Sequence, residues 1–180
     1  MNKITLEQYQ MVFEFPVKNY YNKLGFDFEK EAFEVIGTEF IVNYNKNFHR
    51  CKLQPKVYYI LEKILKLNRH QSILSAMKQK DLEASIELYD LGKFFTEIIG
   101  IDNHYAKSKV EKGKQWFKKS KFKRSEILLV GDTSHDYEVA EIIGVDCILI
   151  PSGHYPREKL EKCNVPIINS LDEILNFLFI

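Results

Sequence analysis

The stretch ILLVGDTSHDYEVAEIIGVDCILI, residues 127–150, decides how the chain is read. Four apolar residues run into Gly131, and two carboxylates follow four apart, at Asp132 and Asp136. An apolar run with helical spacing then leads to Gly144, and CILI (147–150) closes the segment. This is the order strand, turn, helix, strand. Two short apolar strands joined through a helix lie parallel, and ligands of such sheets sit at the carboxyl ends of the strands. Asp132 therefore falls just past a strand's carboxyl end, with Asp136 one turn on, both facing one crevice. Two close carboxylates repel unless a cation or proton lies between them. A hard divalent ion such as Mg2+ is commonly held by one or two carboxylates beside a phosphate. The same spacing also suits Asp132 as a helix cap and Asp136 as a first-turn acid favoured by the dipole.

The rest of the chain extends this pattern upstream and downstream. From about residue 55, helix and strand alternate: a helical face at Val57, Ile60, Leu61, Ile64 and Leu65, a strand at 71–77, a helix through Leu82, Ile86 and Tyr89, and a strand at 96–101. Ser108-Lys109-Val110-Glu111 has the form of a capping box and opens a helix through Trp116 and Phe117. After residue 150, VPII (165–168) reads as a further strand, and Ser170-Leu171-Asp172-Glu173 as the capping box of a last helix. The first fifty residues differ. Thr5-Leu6-Glu7-Gln8 is a capping box, and apolar or aromatic residues at Leu6, Tyr9, Val12 and Phe13, then Val17, Tyr20, Tyr21 and Leu24, keep a helical period around Pro16. The expected architecture is an α/β core at 51–180, a doubly wound parallel sheet, with a small helical cap at 1–50.

Composition narrows the class. At 180 residues, 45% apolar and 28% charged, the chain has material for one core and a small appendage. A net charge of +1 gives no global field to draw nucleic acid or an anionic membrane. Nine Lys and Arg fall within residues 107–124, but aromatic platforms are not interleaved, so they read as a solvated helix face. Cys51, Cys147 and Cys163 are odd in number and share no CxxC spacing, as expected of reduced thiols. No apolar run of signal-peptide or membrane-span type occurs, and the chain reads as cytoplasmic, a monomer or homodimer without membrane or nucleic-acid partners.

Two more strand ends carry candidates. SILSAM places the Ser75 hydroxyl and the Ala76 backbone N–H where they suit an anion, although a plain strand-to-turn serine fits as well. Lys109 lies near a helix N-terminus, where the dipole disfavours a cation, which points to a role other than stability. Its competitors are an ordinary surface lysine and Lys107, which is placed for the same role. A hydroxyl with amides, a lysine and two acids on successive carboxyl ends form an arrangement suited to phosphoryl transfer.

In these residues the chain resembles the haloacid dehalogenase superfamily of phosphatases, most closely its phosphoglycolate-phosphatase-like branch. ILSA resembles the second motif, with Ser75 binding phosphate. Ser108-Lys109 resembles the third, with Lys109 neutralising phosphate, and LLVGDTSHD the fourth, with Asp132 and Asp136 around Mg2+. The resemblance implies a Mg2+-dependent hydrolase of small phosphorylated metabolites, with Lys109 and Asp132 in catalytic roles and residues 1–50 as the cap. It also implies a first motif, a central strand followed by DxDGT, whose two acids are nucleophile and general acid/base. No DxDGT occurs in the 180 residues. Asp27 and Glu29 have no apolar strand before them, and Asp102 has no second acid at the needed spacing. The expectation is therefore a chain that lacks an N-terminal strand-loop-helix segment and is inactive as it stands. The alternatives are a non-catalytic phosphate-binding or regulatory remnant and, more remotely, a phospho-acceptor domain with Asp132 as acceptor. Tyr20, Tyr21, Phe40, Tyr44 and Arg50 are candidates for contacting a leaving group, with packing as the competing role. His135 and His154 border the crevice without an assigned part.

Overall fold

Thr5 opens the first helix as its capping box predicts. Its hydroxyl accepts the Gln8 N–H at 3.1 Å while Gln8 Oε1 accepts the Thr5 N–H at 2.9 Å, so two donors of an unpaired first turn are satisfied reciprocally. Helix α1 (Leu6–Val12) is followed by α2 (Val17–Lys23) and α3 (Phe33–Asn47). The helical spacing of the aromatic residues becomes a cluster of rings: Phe13 lies 5.3 Å from Tyr9 and 5.2 Å from Tyr20, and Tyr21 lies 5.1 Å from Phe26. Tyr20 and Tyr21 are thus packing residues, with Tyr21 buried. On α3 only Ile36 is buried, while Phe40 and Tyr44 stack on each other at the surface. Arg50 donates to Asn47 Oδ1.

The computed structural model describes residues 4–102 and 107–178, the side chains of 107 and 108 excepted, and divides into two units, Met1–Gln54 and Pro55–Ile180. The second unit holds α4 (Val57–Lys66), β1 (Ser72–Lys78), α5 (Gln79–Leu88), β2 (Glu97–Ile101), α6 (Lys107–Lys119), β3 (Leu128–Gly131), α7 (Ser134–Ile143), β4 (Asp146–Leu149) and the short α8 (Arg157–Leu160). Strands alternate with helices and every ladder is parallel. One feature departs from the single sheet expected from the sequence. Among the described residues the strands form two separate ladders, β1 with β2 and β3 with β4.

Each ladder is held by helices. α6 packs on β1, β2 and α7, and α7 packs on β3 and β4. The contact centres on Gly113 of α6, where an added Cβ would meet Leu74 Cδ2 of β1 at 3.2 Å and Val139 Cγ1 of α7 at 3.4 Å. A larger residue there would push the helix from both neighbours. β4 is buried on both faces, with Cys147 at 8% exposure and Ile148 and Leu149 at 0%, as a near-continuous apolar parallel strand requires. Ile148 joins Ile150, Ile168 and Ile174 in one core cluster, with Ile64 and Phe177 against it.

Two expected elements take other forms. VPII is no strand but a single bridge, Leu149 to Ile167, because Pro166 has no N–H to extend a ladder. Residues Leu171–Phe177 form a 3-10 turn series in place of an α-helix. There Glu173 Oε1 takes the Asn169 N–H at 3.1 Å, one residue before the expected cap. Ser108 lies inside α6, which already begins at Lys107. The side chains of Ser108 and Lys107, and so the expected capping box and the alternative lysine, lie outside the described residues.

Candidate functional site

The turn from β3 into α7 is built around one carboxylate. Thr133 caps α7, and Asp136, in its first turn and 4% exposed, points back across the helix mouth. Its Oδ2 accepts three hydrogen bonds, from the N–H of Asp132 at 3.1 Å, the N–H of Thr133 at 3.0 Å and the Thr133 hydroxyl at 2.8 Å. Its Oδ1 accepts the ammonium of Lys109, whose side chain is 13% exposed. Burial pushes the Asp136 carboxyl up, but the charge and hydrogen bond of Lys109 and the hydrogen bonds of Thr133 outweigh it, holding the group below the usual carboxylate range. Gly131 makes this possible, since a Cβ there would fall 2.1 Å from Asp136 Cβ.

Asp132 is in the opposite condition. Burial first, and then the negative charge of Asp136, push its carboxyl above the usual range, against the opposing effects of His154 and Lys109. The loop after β4 closes on it. The His154 backbone N–H donates to its carboxylate, and Gly153 stands so near that an added Cβ would lie 1.6 Å from Asp132 Oδ2. His135 is buried, its Nδ1 3.0 Å from Glu138 Oε2, and His154 is exposed beside Asp132.

The structure thus brings Lys109, Asp132 and Asp136 into one cluster at the carboxyl end of β3. Ser75 and Ala76 lie in the other ladder, not beyond the strand's end but within β1, which runs on to Lys78. The ladder with β2 is regular from Ser72↔Glu97 to Leu74↔Ile99 and resumes only at Lys78↔Ile101. Residues 75–77 therefore bulge out of the pairing. The Ser75 hydroxyl accepts the Met77 N–H at 3.1 Å, and Ala76 is exposed. Gly100 permits the bulge, because a Cβ there would meet the Gln79 backbone at 2.7 Å and the Met77 carbonyl at 2.8 Å.

The chemistry follows from this division of labour. Asp136 is committed on both oxygens, so it fixes the Lys109 ammonium and the turn. Asp132 is a carboxylate whose charge is disfavoured where it stands, so a cation beside it is favoured. Among the described residues no cluster of three His, Cys, Asp or Glu could hold a metal ion. Asp132 fits one ligand position of a hard divalent ion, and the remaining ligands are not supplied by these side chains. Sequence reasoning missed Gly153 and the bulge at 75–77. PSGH gave only a loop near the crevice, and neither close approach leaves a spacing signal.

Gly153→Ala separates site from scaffold. The three atoms nearest the new methyl all belong to the Asp132 side chain, Oδ2 first. Stability should change by less than about 1 kcal/mol while the Asp132 carboxylate leaves its place, read by thermal denaturation and the Asp132 carboxyl carbon shift. A fall of several kcal/mol with an unmoved carboxyl would put Gly153 in the scaffold.

The comparisons with known proteins agree with this construction. The family model described as haloacid dehalogenase-like hydrolase matches residues 1–150. A curated relative from Caldanaerobacter subterraneus subsp. tengcongensis, named as the pyrophosphatase PpaX, is 22% identical over 138 residues, 75% of this chain and 62% of that protein. The chain so spans less than two thirds of that relative's length. The haloacid dehalogenase-like family protein SP0104 of Streptococcus pneumoniae superposes with a TM-score of 0.82 at 15% identity, over 98% of this chain and 82% of that one. The HAD-hydrolase YfnB of Bacillus subtilis, solved bound to magnesium, gives 0.64 at 15% identity, over 97% and 78%. At such identities the two solved structures speak for the fold, and the family match carries the assignment. With strand, turn and helix of residues 128–143 in the arrangement described, this chain belongs to the haloacid dehalogenase-like hydrolase family.

Proposed function

We propose that residues 1–180 form the phosphate-handling part of a Mg2+-dependent phosphatase of small phosphorylated metabolites, of the phosphoglycolate-phosphatase-like kind. The observation that carries this is the part-buried Lys109–Asp136 pair beside Asp132 at the carboxyl end of β3. Lys109, oriented by Asp136, neutralises phosphate charge. The Ser75 hydroxyl and the Ala76 N–H, in the bulge of β1, contact phosphate oxygens. Asp132 holds the divalent ion, which would stabilise negative charge on the phosphate. None of these groups is placed to attack phosphorus, covalent catalysis needs a carboxylate nucleophile, and the 180 residues contain no DxDGT sequence. That gap favours a second reading, a non-catalytic phosphate-binding or regulatory protein. The two separate on turnover: phosphate release from phosphoglycolate, pyrophosphate or p-nitrophenyl phosphate by the chain carrying a strand-DxDGT-helix segment ahead of Met1 supports the first. No release from any of them supports the second.

Mg2+ tests Asp132 alone. With one side-chain ligand in place, Mg2+ should bind the 180-residue chain weakly, raising its melting temperature only at high concentration, and Asp132→Asn should remove the effect. A tight site indifferent to that substitution would mean that the metal lies elsewhere.

A further inference from the structure

Between the paired positions Leu74↔Ile99 and Lys78↔Ile101, three residues of β1 stand opposite one residue of β2, Gly100. A bulge of that size takes the backbone of β1 away from its partner. Gly100 is buried, so its N–H needs an acceptor from elsewhere. Gln79, the first residue of α5, supplies it. Its Oε1 accepts the Gly100 N–H at 2.6 Å, and its Nε2 donates to the Ile98 carbonyl at 3.0 Å. One side-chain amide thus gives β2 the acceptor and the donor that a paired strand would give it. The amide is oriented from a second side, because Nε2 also donates to Glu83 Oε1 at 2.7 Å, one turn along α5. Turned over, it would set its oxygen against a carboxylate and a carbonyl, and its nitrogen against an N–H.

We infer that Gln79 is the positioning residue of the phosphate-binding bulge, a role that rests on the phosphate reading of residues 75–77 given above. By standing in for β1 opposite Gly100, it lets Ser75, Ala76 and Met77 leave the ladder and keeps them out of it. Gln79 itself touches no phosphate. Inside the bulge the Ser75 hydroxyl accepts the Met77 N–H at 3.1 Å, and a hydroxyl that accepts there still has its own proton to give to an oxyanion. Without the Gln79 amide, the Gly100 N–H and the Ile98 carbonyl compete for the backbone groups of the bulge. β1 then straightens toward β2, and the groups that would meet an anion are withdrawn. A glutamine that served the sheet alone would change stability on its loss and leave anion affinity as it was.

The test uses the isotope-labelled 180-residue chain with inorganic phosphate as the probe. Gln79→Leu, which keeps the bulk without donor or acceptor, should shift the amides of Ser75, Ala76 and Met77 before any phosphate is added. It should also weaken the phosphate affinity read at those amides by about fivefold to tenfold. A second pair of variants acts through an exposed position that leaves the fold intact. Glu83→Ala and Glu83→Gln both lose the charge, but only glutamine keeps an oxygen for Gln79 Nε2. Glu83→Ala should therefore bind phosphate about twofold to threefold more weakly than Glu83→Gln, whose affinity stays near that of the wild type. A phosphate response at residues 75–77 that survives Gln79→Leu unchanged would overturn the inference and leave the phosphate reading standing. Should Gln79→Leu not fold, equal affinities in the two Glu83 variants would overturn it in the same way. A wild type whose amides at 75–77 ignore phosphate would overturn the phosphate reading, and the role of Gln79 with it.

Discussion

The 180-residue chain should release no phosphate above background from p-nitrophenyl phosphate or phosphoglycolate with Mg2+, and a strand-DxDGT-helix segment grafted ahead of Met1 should restore turnover by about ten-thousandfold or more. The effect is large because positioning and nucleophile act as a unit. Lys109, Asp132 and Ser75 can hold and neutralise a phosphate, yet no acid among the 180 residues follows a strand in a DxDGT sequence. In the grafted chain, Asp132→Asn should remove about a hundredfold to a thousandfold of the regained rate, the usual cost of losing one preorganised electrostatic group. Robust Mg2+-dependent hydrolysis by the ungrafted chain, lost on Asp132→Asn, would mean that another acid serves as nucleophile.

The largest expected effect on stability is at Asp136. Asparagine there can offer one oxygen either to the three donors of the turn or to Lys109, and its amide then opposes whichever is left. A part-buried ammonium or the N–H and hydroxyl donors of the turn lose their acceptor, which costs about 2–4 kcal/mol. For a domain of this size that lowers the melting temperature by roughly 5–15 °C. Asp132→Asn should act in the other direction, neutral or slightly stabilising, because Asp132 carries a charge that burial and Asp136 disfavour. The contrast separates a group that holds the fold from one kept for chemistry. Thermal denaturation of the two variants at neutral pH checks it. Equal losses from both would place Asp132 in the scaffold as well.

What was legible in the sequence is what short spacing encodes. The run into Gly131, the four-residue step from Asp132 to Asp136 and the stop at Gly144 predict the strand, turn and helix found at 128–143. Gly144 adopts a positive φ of 74° at the helix end, which a side chain would resist. The tertiary terms were not legible. Asp136 has its charged partner 27 residues upstream, so spacing alone left it equally fit for a metal. The bulge at Ser75 depends on pairing with β2, and the approach of Gly153 to Asp132 depends on the path of a loop. Helix α3 was hidden for another reason: with one buried residue in fifteen, it has no apolar stripe to read. VPII has the composition of a strand but lacks the donor at Pro166 that would make it one.

The division of roles at the site is tested most directly by titrating inorganic phosphate into the isotope-labelled 180-residue chain and following amide and lysine ammonium shifts. Weak, saturable shifts are expected at Ser75, Ala76, Met77, Lys109 and Asp132, with those of the bulge reduced in Ser75→Ala and those at Lys109 lost in Lys109→Met. Shifts that leave Ser75–Met77 and Lys109 unmoved while another surface responds would contradict a phosphate cradle formed by the bulge of β1 and the carboxyl end of β3.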